Sequence, residues 1–563
     1  VPSVRRAVTL LAIVALLQGC AGATSPSPTN TTAPPPGPAS PSPAAAPSTC
    51  ASPPIAADLP DWNDRIFYEL FVRSFQDSDG DGIGDLRGLI DRLDYLNDGD
   101  PATDDDLGVT GLWLMPIAES PSYHGYDVVD YRAIEQDYGS LEDFRVLLDE
   151  AHARGIAVIV DFVMNHTSRE HPWFVDARTP GSEHEDWYLW ADERPRGVVK
   201  PGGDRVWHED GERFYYAYFW EGMPDLNLDS PEVTAELDGI ARFWLEEVGV
   251  DGFRLDAIKH LFEDGAELED VPETKVWLEG FHDRVDAYAP DALLLGEAYD
   301  VTSQASAYVP ESVDLTFDFG LADSILIGVD NGSASPIRSQ LAETVAAYPP
   351  GQFATFLTNH DQPRVATRLG GSLEAAAAAA TAYLTAPGVP FIYYGEEIGT
   401  QGTKPDERIR TPMAWTAEAP GAGFTEERPW QPVAEGADTA NVAAQADDPD
   451  SLLSHYRDLI RLRVEHEALR GPDAVAVETT ERSVLAVARR SADELLLVLV
   501  NLGDAPLSGA ALDLTAVVPC GTNVAGAEVL LGDAEVAPIV DAAAWVPVET
   551  LDPYESVVLR LTP

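Results

Sequence analysis

Lysine is almost missing from this chain of 563 residues, at positions 200, 259, 275 and 404 only. Lysine and arginine together number 36 against 95 aspartates and glutamates, a formal net charge of -59. A polyanion of this size is repelled by nucleic acid and by anionic membrane surfaces, so both are excluded as partners. A neutral ligand meets no such penalty. An acidic, lysine-poor surface suits high-salt media, where screening relieves self-repulsion; a GC-rich gene would bias composition the same way. Cysteine is scarce too, at 20, 50 and 520. In an exported protein Cys50 and Cys520 either pair or stay free. Internal repeats are missing, which excludes solenoids and propellers.

What is present begins with a targeting segment. Arg5 and Arg6 precede a short apolar run, Ala7 to Leu17, too short to span a bilayer as a mature helix. Leu17-Gln18-Gly19-Cys20 resembles a bacterial lipobox, in which the cysteine becomes the lipidated N-terminus. Ordinary cleavage nearby is the alternative. Val1 in place of Met points to an alternative start codon or a trimmed sequence. Residues 21–57 are Pro, Ser, Thr and Ala with almost no charge, which reads as a semi-extended tether. The expectation is an exported protein held at a cell surface through Cys20, or secreted, and monomeric.

From residue 65 short apolar runs alternate with amphipathic stretches, the βα pattern of a parallel sheet. The runs are Ile66 to Phe75, Val109 to Pro116, Ile156 to Phe162, Gly252 to Asp256, Leu293 to Glu297, Leu315 to Phe319, Phe353 to Asn359 and Val389 to Tyr394. Helical segments such as Leu141 to Arg154 and Val233 to Val248 fall between most of them. Eight such units predict an α/β fold, a (β/α)8 TIM barrel over residues 58–470, with its site at the C-terminal strand ends. The stretch from His166 to Asp229 is too long for a loop, which predicts an inserted subdomain of about 167–229 after strand three. Its many aromatics, Trp173, Trp187, Trp190, Trp207 and Tyr215 among them, are expected mostly in its own core, a minority facing the cleft. After a last helix, Leu452 to Leu469, the pattern predicts a C-terminal antiparallel β-sandwich over 471–563.

Acids end several of these strands: Asp161 strand three, Asp256 strand four and Glu297 strand five, with Asp361 after strand seven. In a barrel they converge on one face. Alternation puts Arg254 and Asp256 on the same side of a strand, where a fixed cation keeps the carboxylate ionised. Acids decorating the loops of a very acidic protein are the bland alternative, which four matched positions with an arginine make weak.

Over about residues 62–470 the chain resembles the α-amylase family of glycoside hydrolases. The resemblance rests on Asp161-Phe162-Val163-Met164-Asn165-His166, Gly252 to His260, Gly296-Glu297-Ala298, Asn359-His360-Asp361, Met223 to Asn227 and Gly388 to Glu396. It implies a retaining double displacement in which Asp256 is the nucleophile, Glu297 the acid/base and Asp361 the stabiliser of the transition state. It further implies that His166 and His360 bind the cleaved sugar and that Tyr126 stacks on it, beside Asp127. Lys259 and His260 would serve the leaving-group side. Arg410, in Arg410-Thr411-Pro412-Met413, is oligo-1,6-glucosidase-like and would pair with an aspartate such as Asp127 to wall off the cleft.

The run from Asp77 to Asp85 places Asp77, Asp79 and Asp81 at alternate positions, then the Ile83 carbonyl and Asp85, the logic of a calcium loop. The twelfth position is Gly88 instead of the glutamate of an EF-hand. The loop looks like the one after strand one in the oligo-1,6-glucosidase-like branch, so Ca2+ is the expected cofactor; an acidic turn is the alternative. The resemblance allows a second calcium through Asn165.

The functional expectation is endo-acting hydrolysis of α-1,4-glucosidic bonds in starch, maltodextrin or a related α-glucan. An exo-acting α-glucosidase, an oligo-1,6-glucosidase or a glucosyl-transferring relative is the alternative. A surface glucan-binding protein that kept the fold and lost catalysis should lack one of the acids or Arg254, and none is missing.

Overall fold

In the computed structural model, residues 59–518 and 524–562 are described. Cys20, Cys50 and Cys520, and with them the lipobox, the tether and any disulfide, lie outside those residues. No helix of the described residues is long and apolar enough to cross a membrane.

Eight parallel strands form the centre: β1 Phe67–Leu70, β2 Gly111–Leu114, β3 Ala157–Phe162, β4 Gly252–Leu255, β5 Leu293–Gly296, β6 Leu315–Thr316, β7 Ala354–Thr355 and β8 Val389–Tyr393. Their hydrogen-bonded order is β6-β5-β4-β3-β2-β1-β8-β7. A parallel bridge from Phe317 to Ala354 joins the two ends and closes the (β/α)8 barrel. The strands are shorter than their apolar runs. In the first, the backbone leaves the sheet after Leu70 and turns through a 3-10 segment at Val72–Ser74.

Side-chain alternation divides the core in two. Phe67, Trp113, Ile159, Leu293, Leu295, Phe317, Phe356 and Phe391 fill the barrel interior, with Phe67 and Phe391 stacked at 4.7 Å. Tyr68, Leu112, Leu114, Val158, Val160, Phe253 and Leu294 face outward to the helices. Glu69 and Arg254 occupy positions of inward parity within these otherwise apolar runs. Register carries the inner layer round the barrel: Glu69 lies beside Trp113, and Asp161 beside Arg254.

Helix starts follow local chemistry. Ser140 and Asp143 form a reciprocal capping box at Leu141–Ala153. Ser230 caps Pro231–Arg242, which continues as a π-helical turn, Phe243–Val248, and stops at Gly249.

The insertion after β3 holds a three-stranded antiparallel sheet, with Arg213–Tyr216 between Trp190–Ala191 and Trp207–Asp210. Tyr188, Tyr215 and Tyr216 are buried in it, whereas Trp220 is 50% exposed. At the C-terminal end Ala474–Ala476, Val484–Arg490, Leu495–Asn501, Ser556–Thr562 and Gly526–Leu531 form one antiparallel sheet in that order. One face packs on Leu512, Leu514, Trp545 and Leu551, from two short ribbons and their loops, so the sandwich has unequal layers. The other face, with Leu485, Val487 and Val498, meets Ile325, Leu341 and Ala382 of the barrel helices.

Candidate active site

A cavity of about 480 Å³ opens at the C-terminal ends of the barrel strands. Asp256, Glu297 and Asp361 line it together with Tyr126, His166, Lys259, His260 and Arg410. Arg254, fully buried beneath, organises the acids. Its Nη1 donates to Asp161 Oδ1 and to Asp256 Oδ1, each at 2.7 Å. Its Nη2 lies 2.7 Å from Glu297 Oε2. That last contact is close but misaligned, since Nη2 makes no hydrogen bond. Trp113 and Tyr126 present their rings to the guanidinium at 5.2 and 5.9 Å.

One cation thus faces three carboxyls. Burial pushes Glu297 up to about 7; Asp256 and Asp361 add to the rise and Arg254 opposes it. Burial also raises Asp256, against its hydrogen bond from Arg254. Of the two, the weaker partner of Arg254 keeps its proton more readily. That partner is Glu297, because Asp256 holds the aligned bond. The environment therefore separates the carboxyls into a carboxylate and an acid. Ala257, next to Asp256, sits in the left-handed region at φ 50 and donates its N–H to Glu297 Oε2 at 3.1 Å. A non-glycine residue held there stores strain of about 1–3 kcal/mol, which is common where a side chain must be aimed.

Asp361 is half exposed to the cavity, and Arg410 Nη2 donates to its Oδ1 at 2.7 Å. Burial works to raise its carboxyl, yet His360 and Arg410 hold it well below the usual range. Burial keeps His360 itself well below its ordinary value and hence neutral, so Arg410 is the charge that acts. His166 is also neutral, lowered to about 4 by burial, and its Nε2 donates to the Tyr126 carbonyl at 3.2 Å. Lys259 is tied to Asp300 at 2.9 Å and Glu269 at 3.1 Å, and His260 is stacked under Tyr218 at 4.0 Å.

Three of the expected site residues stand behind the wall instead of lining it. Arg254 and His360 are wholly buried. Asp127 is buried as well; its Oδ1 accepts from Ser120 Oγ at 2.8 Å and from Ser122 Oγ. The expected Arg410–Asp127 pair is therefore corrected: two hydroxyls satisfy Asp127, and Arg410 reaches Asp361 instead. Sequence reasoning did not single out His124, Phe219, Tyr299, Phe319, Gln362 or Asp406 as site residues, yet all line the cavity. It also missed Glu69, whose signal was an acid inside an otherwise apolar strand.

In the loop after β1, ligand oxygens of Asp77, Asp79 and Asp85 lie within 4.8 Å of one another. Among the described residues this is the only such acidic or histidine group. Asp81 falls outside it and is turned to the Ile83 N–H at 2.8 Å. Asp77 accepts from the N–H groups of Asp79, Gly80 and Gly82, and Asp85 from Ser78 and Gly88. These donors are all neutral, so no cation of the described chain balances the three carboxyls. Gly82, at φ 91, lets the loop pass against the Arg428 carbonyl, which a Cβ would strike. At Asn165, through which the resemblance allows a second calcium, Nδ2 donates to Asp225 Oδ2 at 3.0 Å.

Comparison with known proteins identifies the family and the fold. Residues 69–471 match the family described as Alpha amylase, catalytic domain. Alpha-amylase 3 of Dictyoglomus thermophilum is 41% identical over 453 residues, covering 79% of this chain and 85% of that protein. Trehalose synthase/amylase TreS of Mycolicibacterium smegmatis is 35% identical, covering 72% and 76%. The crystal structure of an alpha-amylase from H. orenii superposes with a TM-score of 0.79 at 40% identity, covering 88% of this chain and 99% of that one. With eight parallel strands, four acids at their ends and a family match across the whole barrel, the chain belongs to the α-amylase family and is an enzyme acting on glycosidic bonds.

Proposed function

We propose that the enzyme is an endo-acting, retaining hydrolase of α-1,4-glucosidic bonds in starch or maltodextrin. The observation that carries the chemistry is Arg254, which bridges Asp256 and Glu297 at one cavity floor. Two carboxyls on one guanidinium are close, as the roughly 5–5.5 Å spacing of a retaining pair requires. Asp256 attacks the anomeric carbon while Glu297 gives its proton to the departing glycosidic oxygen. A covalent glycosyl-enzyme forms. Glu297, now a base, takes a proton from water, which displaces Asp256 and leaves the α-configuration. Asp361 stays ionised and holds sugar hydroxyls against the growing positive charge at the ring.

Internal cutting needs room on both sides of the bond. Lys259, His260, Tyr299 and Phe319 offer a leaving-group side with aromatic faces. Arg410, engaged with Asp361, does not form the expected bar with Asp127. The name of the Dictyoglomus relative supports the amylase reading. His124, Asp406 and Arg410 also line the cavity, and if they bound its opposite side they favour the second reading, exo-acting or glucosyl-transferring action, in line with the trehalose synthase/amylase name of the Mycolicibacterium relative. Product analysis on soluble starch separates the two.

Ca2+ fits the loop of Asp77, Asp79 and Asp85. Hard oxygen donors with no neighbouring cation are what such an ion takes. The Ile83 carbonyl, and Asp81 once turned from the Ile83 N–H toward the cluster, would complete the proposed ligand set. Bound there, calcium would relieve the repulsion of the loop and fix it against the chain at Arg428. The enzyme is further proposed to work as a monomer at the cell surface, tethered through a lipid on Cys20.

A further inference from the structure

Four buried side chains form a hydrogen-bonded row under the cavity. Glu69 Oε1 lies 2.6 Å from His360 Nδ1, His360 Nε2 lies 2.6 Å from the Tyr126 hydroxyl, and that hydroxyl lies 3.1 Å from Asp161 Oδ2. Asp161 Oδ1 then meets Arg254 Nη1, which also holds Asp256. Glu69 and His360 are 2% and 0% exposed, so water does not complete these contacts.

Each of the three contacts between Glu69 and Asp161 needs one proton. Tyr126 supplies one. A neutral His360 supplies a second, and burial disfavours the imidazolium that would supply two. The third proton must sit on a carboxyl, at Glu69 or at Asp161. In one state Asp161 donates to the Tyr126 oxygen, Tyr126 to His360 Nε2, and His360 Nδ1 to the Glu69 carboxylate. In the other each proton has shifted one step along its bond. Glu69 is then the acid and Asp161 the carboxylate, with no heavy atom moved and no net charge gained.

We propose that Glu69 and Asp161 share a single proton through His360 and Tyr126, which makes Glu69 a positioning residue for the nucleophile although it never touches the cavity. While Asp161 holds the proton, the charge of Arg254 is left to Asp256. While Glu69 holds it, Asp161 competes for that charge. The inference rests on the retaining-hydrolase reading above. Other charged or titratable groups face the row: Arg254, Asp256 and Glu297 at Asp161, Asp361 with its Oδ2 3.4 Å from His360 Nε2, Arg410 and Lys404 toward His360, and Tyr393 from β8 toward Glu69. None of them intervenes between Glu69 and His360.

Glu69→Gln tests this, because an amide can accept from or donate to His360 Nδ1 and so keeps the shape while removing the second carboxyl. With no partner, Asp161 ionises alone beside Arg254. It then competes with Asp256 for Arg254 at every working pH, so the Asp256 carboxyl rises and the acid limb of kcat/KM on a maltooligosaccharide is expected to move to higher pH by about half a unit or more. A fall in kcat/KM by one factor at every pH would mean that Glu69 only packs, and would overturn the proposal. Tyr126→Phe cuts the row at its middle. It should move the acid limb itself and cancel any further movement from Glu69→Gln. If Glu69→Gln does not fold, an unchanged acid limb in Tyr126→Phe overturns the proposal alone. A wild-type enzyme that fails to hydrolyse the substrate, or releases β-anomers, would instead remove the underlying reading.

Discussion

Arg410 donates through Nη2 to Asp361 Oδ1 at 2.7 Å, and through Nε to the carbonyl of His360 at 2.9 Å. One arginine thus fixes the stabilising acid by its side chain and its neighbour by the backbone. Asp361 keeps its carboxylate because of that cation, the adjacent imidazole being neutral. In Arg410→Gln the Asp361 carboxyl should rise. A group whose pKa is held down is ionised above that value, so raising it removes the working form from acidic solution first. The acid limb of kcat should move to higher pH. Activity near neutrality should fall roughly tenfold, about 1.4 kcal/mol of barrier. An unmoved limb would show that Arg410 does not govern Asp361.

Asp256→Asn should abolish most hydrolysis, because an amide cannot form the glycosyl ester. Glu297→Gln should cost roughly 10²–10⁴ in kcat, the usual worth of a positioned acid/base. Both variants should melt close to the wild type. Near-normal turnover of starch by either would overturn the assignment. Wild-type kcat/KM should also decline as pH rises through about 7, where free Glu297 loses the proton it must donate.

Much of this site was legible in the sequence because strand ends in a barrel converge whatever the loops do. Asp161, Asp256, Glu297 and Asp361 needed only eight strands and their order to meet. The pairing of Arg410 needed more. Its partner depends on the path of the chain after β8, and on Ser120 and Ser122 having already satisfied Asp127. No periodicity records that. Glu69 was readable as an anomaly, a carboxyl in Phe67-Tyr68-Glu69-Leu70, but its use depends on a histidine 291 residues away. The C-terminal sheet was predictable from alternation; its burial on both faces was not, because strand pattern does not say which neighbour covers the second face.

Removal of calcium should lower the melting temperature, and excess calcium should restore it. An ion held only by the folded chain at about 100 times its Kd adds about 2.7 kcal/mol. Asp77→Asn combined with Asp85→Asn should remove the response to chelator. A wild-type melting curve identical with and without prolonged chelation would rule out the loop as a calcium site.

Membrane attachment is expected to depend on Cys20. Wild-type protein should partition with membranes and carry an acyl group on its first mature residue. Cys20→Ala should become soluble or remain unprocessed, with unchanged specific activity in either form, because Cys20 precedes in sequence every residue assigned to the catalytic site. Wild-type protein recovered wholly from the medium without acylation would show that the leader is cleaved in the ordinary way.

The cleavage pattern is the most demanding expectation, because two features of the cavity pull in opposite directions. Lys259, His260, Tyr299 and Phe319 line the cavity, and on the proposed reading they give the leaving-group side polar anchors and aromatic faces for further glucose rings. His124, Asp406 and Arg410 also line the cavity, and the proposal places them on the other side. If they filled the second glucose position, each cut would release one glucose from a chain end. The arrangement of Arg410 argues otherwise. Its guanidinium is drawn down onto Asp361, and Asp127 is turned to Ser120 and Ser122, so the Arg410–Asp127 pair that would bar the cleft does not form. Amylose should therefore lose iodine staining early while mixed oligosaccharides appear, and the new ends should be α-anomers by NMR before mutarotation. Glucose as the sole early product would mean that the second glucose position is closed and the enzyme is an exo-acting glucosidase. Trehalose formed from maltose would mean that the glycosyl-enzyme is captured by sugar instead of water. Initial β-anomers would overturn the double displacement itself, because two inversions at one carbon, by Asp256 and then by water, can only restore the α-configuration.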